Sequence, residues 1–255
     1  MKLALAQMLV EPGEPEANLA RAEQRIAEAA ARGADVVLLP ECLDLGWTHP
    51  SARELATTIP DGESCQRLIA AARRHQVYVC AGLVERAGDR LFNAAVLLDR
   101  EGCVLLHHRK IHELDFGREL YATGDRLGVV DTPVGKIGLM ICADGFAPEQ
   151  VISRTLALMG AQIILSPCAW AVPADHDNER VPYGQIWREN YGAVCRDTGV
   201  VIAGCSNVGP ITAGPWSGRP CIGCSLVLGA DGTPLVRGSY GLAADEIIVI
   251  DLPSR

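Results

Sequence analysis

Three residues with chemically complementary side chains, a carboxylate, an ammonium and a thiol, each follow a predicted strand: Glu41, Lys110 and Cys142. In a layered α/β fold the ends of neighbouring strands meet at one edge, so these side chains are expected to gather there. A carboxylate can take the proton of a thiol, and the thiolate then attacks a carbonyl or nitrile carbon. An ammonium group stabilises the negative charge that develops in this attack. The three residues therefore predict nucleophilic catalysis.

The segment around Cys142 has the layout of a nucleophile elbow with sulfur in place of a hydroxyl. The apolar run 137–141 predicts a buried strand that ends at Cys142, and Asp144-Gly145 predicts a tight turn. Pro148 suits the first turn of a helix that begins near Glu149. Backbone N–H groups just after such a residue can bind an oxyanion. The alternative is that Cys142 is a small buried apolar residue at a strand end.

The other two residues also have simpler interpretations. Glu41 could be a surface residue that happens to follow a strand. Lys110 is one of four basic or imidazole side chains in the segment 107–110. Spacing alone leaves these alternatives open for each residue.

The elements that must position these residues alternate between strands and helices. Strands are predicted at 3–10, 34–40, 76–82, 93–98, 104–108, 137–141, 161–166, 200–204, 222–228 and 247–252. Helices are predicted at 16–32, 64–75, 149–159 and 183–198. This order predicts an α/β fold with a mixed sheet and helices outside it. No linker is long enough to divide the chain, so residues 1–255 are expected to form a single domain.

Composition limits the classes of partner that the protein is expected to bind. The chain has 255 residues and a formal net charge of −8, which argues against nucleic acid or an anionic membrane surface as the main partner. The segment Met1 to Val10 is too short to span a membrane and lacks the features of an export signal. Several of the ten cysteines lie in apolar runs, which favours a reducing, cytoplasmic location.

Cys221 and Cys224 have the spacing of a metal or redox pair. A zinc site needs a second pair or suitably spaced histidines, and a redox dithiol favours a helix N-terminus, whereas this pair leads into a predicted strand. A zinc or dithiol protein is thus a disfavoured alternative, and neither a metal nor an organic cofactor is predicted.

Several segments, in order, resemble the nitrilase or carbon–nitrogen hydrolase superfamily. Residues 38–41, 109–112 and 138–144 resemble the family's glutamate, lysine and cysteine segments, and later segments such as 188–191 and 223–225 also match. The resemblance implies a four-layer α-β-β-α sandwich. It also implies that Glu41 is the general base and Cys142 the nucleophile. Lys110 and the backbone N–H of Ala143 would then bind the oxyanion.

The family also has a second glutamate after its lysine. Glu113 and Glu119 are the candidates, and Glu119 is preferred because the segment 119–125 resembles the end of the family's loop. Solvated charge on a loop is the alternative for both residues.

Four further residues are candidates for substrate binding: Trp47, Glu113, Trp170 and His176. Trp187 and Trp216 could also line a pocket. The alternative for all four tryptophans is a position in the core or in an interface. His176 could equally lie on a solvated polar loop.

The sequence leaves three related substrate classes open: amides, nitriles and N-carbamoyl compounds. The sequence Asp144-Gly145 after Cys142 resembles aliphatic amidases more than typical nitrilases, and Ala143 leaves space beside the thiol. A small amide is therefore the expected substrate, with a nitrile or an N-carbamoyl compound as the alternative. The resemblance also implies a homodimer or higher homo-oligomer formed through outer helices. A non-catalytic oligomeric binding protein of the same fold is the second class of function.

Overall fold

The computed structural model of this protein describes residues 1–253. Within that range the chain forms fourteen strands: β1 (Lys2–Gln7), β2 (Val36–Leu38), β3 (Tyr78–Ala87), β4 (Arg90–Leu98), β5 (Val104–Arg109), β6 (Val129–Thr132), β7 (Gly135–Leu139), β8 (Ile163–Cys168), β9 (Val201–Ser206), β10 (Val208–Pro210), β11 (Pro220–Ile222), β12 (Leu226–Leu228), β13 (Pro234–Arg237) and β14 (Glu246–Asp251). The α-helices are α1 (Pro15–Ala31), α2 (Ala52–Leu55), α3 (Glu63–His75), α4 (Val151–Leu158) and α5 (Gln185–Thr198). Short 3₁₀ turns lie at Asp115–Glu119, Cys142–Phe146 and Pro148–Gln150.

Most of the strands belong to two six-stranded mixed sheets. The first has the order β14-β1-β2-β3-β4-β5, and the second has the order β13-β12-β9-β8-β7-β6. In the first sheet β1, β2 and β3 are parallel, and in the second β7, β8 and β9 are parallel. The remaining pairs are antiparallel. The predicted combination of parallel and antiparallel strands is therefore confirmed.

Alternate side chains of a strand pack into different layers. In β1, Leu3 and Leu5 belong to the core that lies between the two sheets, together with residues of β8 and β9. Ala4 and Ala6 face the opposite way and pack with α1 and α3. Because successive side chains of a strand point to opposite faces, one strand contributes to both layers. The small alanines let the helices approach the sheet closely.

The helices cover the outer faces of the sheets. α1 packs on α3, with Ile26 and Leu68 fully buried against the first sheet. α4 packs on α5, with Leu156 and Val194 fully buried against the second sheet. This arrangement confirms the four-layer α-β-β-α sandwich.

Two predicted elements differ from the structure for a reason that lies in the backbone. The helix predicted from Glu149 begins at Val151, because Glu149 and Gln150 have φ angles of 55° and 51°. The segment 222–228, predicted as one strand, is divided between β11 and β12, since Gly223 and Cys224 have φ angles of 66° and 62°. Left-handed residues interrupt both a helix and an extended strand. The short elements β6, β10, β13 and α2 were not predicted.

The structure also shows the state of the cysteines and whether any described helix could cross a membrane. All ten cysteines are free thiols, and each except Cys103 is buried. Within residues 1–253, no helix combines the length and the apolar character that crossing a bilayer requires.

Candidate active site

Cys142 lies just beyond β7, at the first position of a 3₁₀ turn. Its φ angle is 43°, a left-handed conformation that is unusual for a residue with a side chain. Its N–H donates to Oγ of Ser166 on β8 at 3.0 Å, which fixes the turn against the neighbouring strand. The structure thus confirms the strand-to-turn layout predicted for this segment.

Asp144 ties this turn to the segment that carries Lys110. Its Oδ2 accepts hydrogen bonds from Nε2 of His108 at 2.8 Å and from the N–H of Ile141 at 3.0 Å. Its Oδ1 accepts from the two N–H groups that follow Lys110, at 3.1 and 2.7 Å. Burial alone would raise the pKa of Asp144, but the hydrogen bonds and the charge of His108 lower it below its ordinary value. Asp144 is therefore an ionised anchor of two segments.

Glu41 lies three residues beyond the end of β2 and contacts both sheets. Its N–H donates to the carbonyl of Cys168 in the second sheet at 3.2 Å. Gly82 of β3 passes directly beneath it, and a Cβ atom at that position would lie only 2.5 Å from Cα of Glu41. Glycine is required there because a side chain would displace the glutamate.

Lys110 is buried between two carboxylates. Its Nζ donates to Oε1 of Glu41 at 2.8 Å and to Oε1 of Glu113 at 3.0 Å. Asn93 of β4 donates through Nδ2 to both glutamates, at 2.6 Å to Oε1 of Glu41 and at 3.0 Å to Oε2 of Glu113. These four side chains form one hydrogen-bonded cluster.

Burial and mutual charge set the protonation of this cluster. Burial raises the pKa of Glu41, against the opposing effect of Lys110. Burial alone would lower the pKa of Lys110, but Glu113 and Glu41 raise it well above its ordinary range. Burial raises the pKa of the Cys142 thiol, and the Cys168 thiol and the Glu41 carboxylate raise it further. At rest, therefore, the lysine is charged and the thiol is protonated.

Glu41, Lys110 and Cys142 line the same cavity of about 170 Å³. Trp47 and Trp170, two of the predicted substrate-binding residues, also line it. The full lining consists of Glu41, Trp47, Lys110, Leu114, Cys142, Ala143, Phe146, Ala169, Trp170, Ala171, Tyr183, Ile186, Trp187 and Trp216. The sequence predicted that residues following three different strands would meet, and the structure brings them together.

The preference for Glu119 over Glu113 is not supported by the structure. Glu119 lies exposed at the end of the 3₁₀ turn Asp115–Glu119, whereas Glu113 is buried beside Lys110. The turn leaves room for Glu113 because residue 117 is glycine: a Cβ atom there would lie 2.7 Å from Cγ of Glu113. The position of Glu113 three residues after Lys110 was the signal for this contact.

Other predicted residues lie outside the cavity lining. His176 is partly buried and lies beside Tyr240, with ring centroids 6.2 Å apart. Cys221 and Cys224 are both buried. Nowhere in residues 1–253 do three or more His, Cys, Asp or Glu side chains form a group that could hold a metal ion.

Asn93 was not identified from the sequence as a site residue. It was predicted only as the first residue of an apolar strand, and it lies inside β4 with 1% of its surface exposed. A buried amide needs hydrogen-bonding partners, and a polar residue within an otherwise apolar strand was the available signal.

Comparison with known proteins places this geometry in context. The family model described as carbon-nitrogen hydrolase matches residues 2–253. A nitrilase from Pyrococcus abyssi is 40% identical over 178 residues, which cover 68% of this chain and 66% of the relative. An omega-amidase from Xenopus tropicalis is 34% identical over 179 residues, which cover 66% of this chain and 63% of the relative. The chain thus spans slightly less than two thirds of the length of these curated relatives.

Solved structures show a closely similar fold. A mutant of the amidase from Nesterenkonia sp. AN1, with acrylamide added to its active site cysteine, has a TM-score of 0.83 and 25% sequence identity. The similarity covers 99% of this chain and 93% of that chain. A further structure of the same amidase in complex with butyramide has a TM-score of 0.82.

Proposed function

The chain belongs to the carbon–nitrogen hydrolase family, and we propose that it hydrolyses a small amide through a cysteine thioester and releases ammonia. The observation that carries this proposal is that Cys142 shares one cavity with the buried pair Lys110 and Glu41. A nucleophile, a base and a cation are thus available to a single bound molecule. Amidases among the similar structures, and an omega-amidase among the relatives, support the choice of an amide.

The first step is attack on the amide carbon. Glu41 takes the proton of Cys142, and the sulfur forms a bond to the carbonyl carbon. A carboxylate with a raised pKa is a stronger base than an exposed glutamate, so burial of Glu41 favours this transfer. The carbonyl oxygen becomes an oxyanion, which Lys110 and the N–H of Ala143 stabilise. Ala143 directly follows the nucleophile in the turn and lines the cavity, which supports this role for its N–H.

The second step releases ammonia and then the acid. The protonated Glu41 gives its proton to the leaving nitrogen as the carbon–nitrogen bond breaks, which leaves a thioester on Cys142. Glu41 then takes a proton from a water molecule, whose oxygen attacks the thioester carbon. Collapse of this second intermediate frees the carboxylic acid and returns the proton to the thiol.

Glu113 and Asn93 act through their neighbours. Glu113 and Glu41 both accept from Nζ of Lys110, so the ammonium lies between two fixed carboxylates. Asn93 donates to both glutamates and sets their separation. We assign Glu113 and Asn93 as positioning residues because they hydrogen-bond to the catalytic side chains and neither lines the cavity.

A nitrile is the second candidate substrate, because the relative that is 40% identical is named a nitrilase. The same thiol would add to the nitrile carbon and form a thioimidate. That intermediate must gain water before it loses ammonia, whereas an amide loses ammonia directly. The two substrates therefore differ in the fate of the first covalent intermediate.

The deciding experiment is an ammonia-release assay with one acyl group presented as an amide, a nitrile and an N-carbamoyl compound. We expect the amide to react and the Cys142→Ala variant to be inactive on all three. If the nitrile reacts well and the amide does not, the amidase assignment is wrong although the nucleophile stands. Ammonia release by Cys142→Ala at the parent rate would refute the nucleophile.

We also propose that the protein is a homo-oligomer assembled through α4 and α5. The packed pair presents exposed apolar side chains on α4, Val151 (54% exposed) and Leu158 (85%), with Met159 (42%) at the end of that helix. Such a patch on a protein surface is typical of an interface, and closed two-fold symmetry is the common arrangement.

A further inference from the structure

We infer that the substrate is an uncharged amide with a compact apolar acyl group, and that amides with a carboxylate or an ammonium on the acyl chain are rejected. This inference rests on the proposed amidase function and specifies the substrate class of the same cavity. It is drawn from the chemistry and the size of the cavity wall.

Beyond the three polar side chains already described, the cavity is lined by aromatic and aliphatic residues. Trp170 and Trp187 stack with ring centroids 4.8 Å apart and an interplanar angle of 21°. Trp47 and Trp216 meet edge to face at 5.1 Å. These rings offer a large apolar surface, which binds hydrocarbon better than charge.

The cation of the cavity wall is already paired. Lys110 is the one cationic side chain of residues 1–253 that lines the cavity, and it is held by Glu41 and Glu113. It is also needed at the carbonyl oxygen in the proposed mechanism. The cavity therefore has no second cation to pair with a carboxylate at the far end of a substrate.

Three arginines contact residues of this wall, through the backbone of Tyr183 and the ring of Trp216. Arg188 and Arg237 both donate to the backbone carbonyl of Tyr183, at 3.3 and 2.8 Å. Arg219 lies over the ring of Trp216 at 4.3 Å from its centroid. None of the three lines the cavity.

A charged acyl group would lose its hydration in this cavity without gaining a free partner of opposite charge. The indole N–H groups of Trp47 and Trp170, which have no hydrogen-bond partner within residues 1–253, are neutral donors. Burial of an unpaired charge is among the most unfavourable exchanges in a protein, so both signs of charge are disfavoured. We therefore expect a penalty on the order of 100-fold or more in kcat/KM for a charged substrate against a neutral one of the same shape.

Size sets a second limit. An apolar cavity of about 150 Å³ holds one benzene molecule, and the cavity here is about 170 Å³. The whole bound amide, with its carboxamide, is therefore expected to be about the size of one aromatic ring, which favours a compact acyl group.

The test compares pairs of amides that differ only in charge. Succinamate is matched by 4-methylpentanamide, in which an isopropyl group replaces the carboxylate. 4-Aminobutanamide is matched by pentanamide, in which a methyl group replaces the ammonium. We expect kcat/KM to be at least on the order of 100-fold higher for the neutral member of each pair. Equal values in either pair, or a preference for the charged member, would overturn the inference.

A binding measurement separates the inferred preference for neutral amides from the proposed amidase function. Binding of the same four amides to Cys142→Ala is measured by calorimetry, which needs no turnover. If no amide is hydrolysed by the parent protein, the amidase function fails. The inference then stands if the neutral members bind more tightly, and falls if the charged members bind equally well.

A wall variant tests whether the missing charge sets the preference. Ile186 lines the cavity and is 44% exposed, so a longer side chain can be accommodated at its edge. Ile186→Arg should lower the 4-methylpentanamide-to-succinamate ratio of kcat/KM by roughly tenfold or more, while the uncharged control Ile186→Gln should not. An unchanged ratio in Ile186→Arg would contradict the role assigned to wall charge.

Discussion

Asp144 accepts a hydrogen bond of 2.8 Å from His108, and this contact joins the turn that carries Cys142 to the strand that precedes Lys110. The two N–H groups directly after Lys110 donate to the other oxygen of the same carboxylate. One buried anion thus fixes the relative position of two segments that lie far apart in the sequence. The separation of Cys142 and Lys110 depends on it.

Asp144→Asn should destabilise the protein and abolish activity. The amide would place an NH₂ group where a carboxylate oxygen now accepts two hydrogen bonds. Removing one partner of a buried ionic contact costs about 3–5 kcal/mol, and we expect the free energy of unfolding to fall by that order. Urea denaturation and ammonia release measure the two effects. The control is Asp125→Asn, a change at an exposed residue, which should alter neither the free energy of unfolding nor the rate of ammonia release. If Asp144→Asn also left both quantities unchanged, the prediction would be contradicted.

Asp44 should make the protein less stable as the pH rises. Burial raises its pKa to about 6 from an ordinary value of 3.8. Because the folded-state pKa is the higher one, the stability that this group contributes is fully present below about pH 4 and is lost as the pH rises through about 6. We expect a loss of about 1 kcal/mol from this group between about pH 5 and about pH 8.

The variant Asp44→Asn tests this sign. Asparagine keeps an oxygen that can accept from Leu45 and Val84, as Asp44 now does at 3.0 and 3.1 Å, but it does not titrate. The difference in unfolding free energy between about pH 5 and about pH 8 should therefore shrink relative to the parent. Asp131→Asn, at an exposed side chain, should keep the parent difference. A larger pH dependence in Asp44→Asn would show that the sign is wrong.

Asn93→Ala should shift the pH profile of the reaction as well as slow it. Asn93 donates a 2.6 Å hydrogen bond to Glu41, which favours the ionised carboxylate. Its loss raises the pKa of Glu41, so the acidic limb of kcat/KM against pH should move to higher pH. We expect kcat to fall on the order of 10- to 100-fold. A variant that is slower but keeps the parent acidic limb would point to a purely structural role for Asn93.

Much of this arrangement was predictable because local patterns determine it. The apolar run before Cys142 and the Asp144-Gly145 turn predicted a strand that ends at a nucleophile in a tight turn. The alternation of strands and helices predicted a mixed sheet with helices outside it, and the resemblance to the family implied the four-layer order. The positions of Glu41 and Lys110 after strands predicted that they would meet, because strand ends share an edge.

Other features could not be predicted because they depend on contacts between distant segments. Whether Glu113 or Glu119 faces Lys110 is decided by the turn at Gly117 and by Asn93 on another strand. The left-handed residues that delay α4 are likewise invisible to apolar periodicity, since Gln150 is held by Asn190 of α5. Short edge strands such as β6 carry too few residues to give a pattern.

Leu158→Glu should dissociate the proposed oligomer. Leu158 is 85% exposed on α4, so a charge there cannot disturb the core of the monomer. In an interface between two copies, however, it would be buried without a partner. Light scattering should give a multiple of the monomer mass for the parent and a smaller species for the variant. Leu242→Glu, at another exposed leucine (54%), is the control; a monomeric parent protein would refute the proposal.

The matched pair Glu113→Gln and Glu119→Gln tests which glutamate supports Lys110. Glu113 accepts from Nζ of Lys110 at 3.0 Å and from Asn93 at 3.0 Å, so glutamine would remove a buried negative charge and turn one acceptor into a donor. Lys110 would then interact more strongly with Glu41 alone, which weakens Glu41 as a base. We expect kcat to fall on the order of 100-fold for Glu113→Gln. Glu119 lies exposed, so Glu119→Gln should stay within about twofold of the parent. Steady-state ammonia release at saturating amide measures both, and a larger loss in Glu119→Gln than in Glu113→Gln would restore Glu119 as the second glutamate.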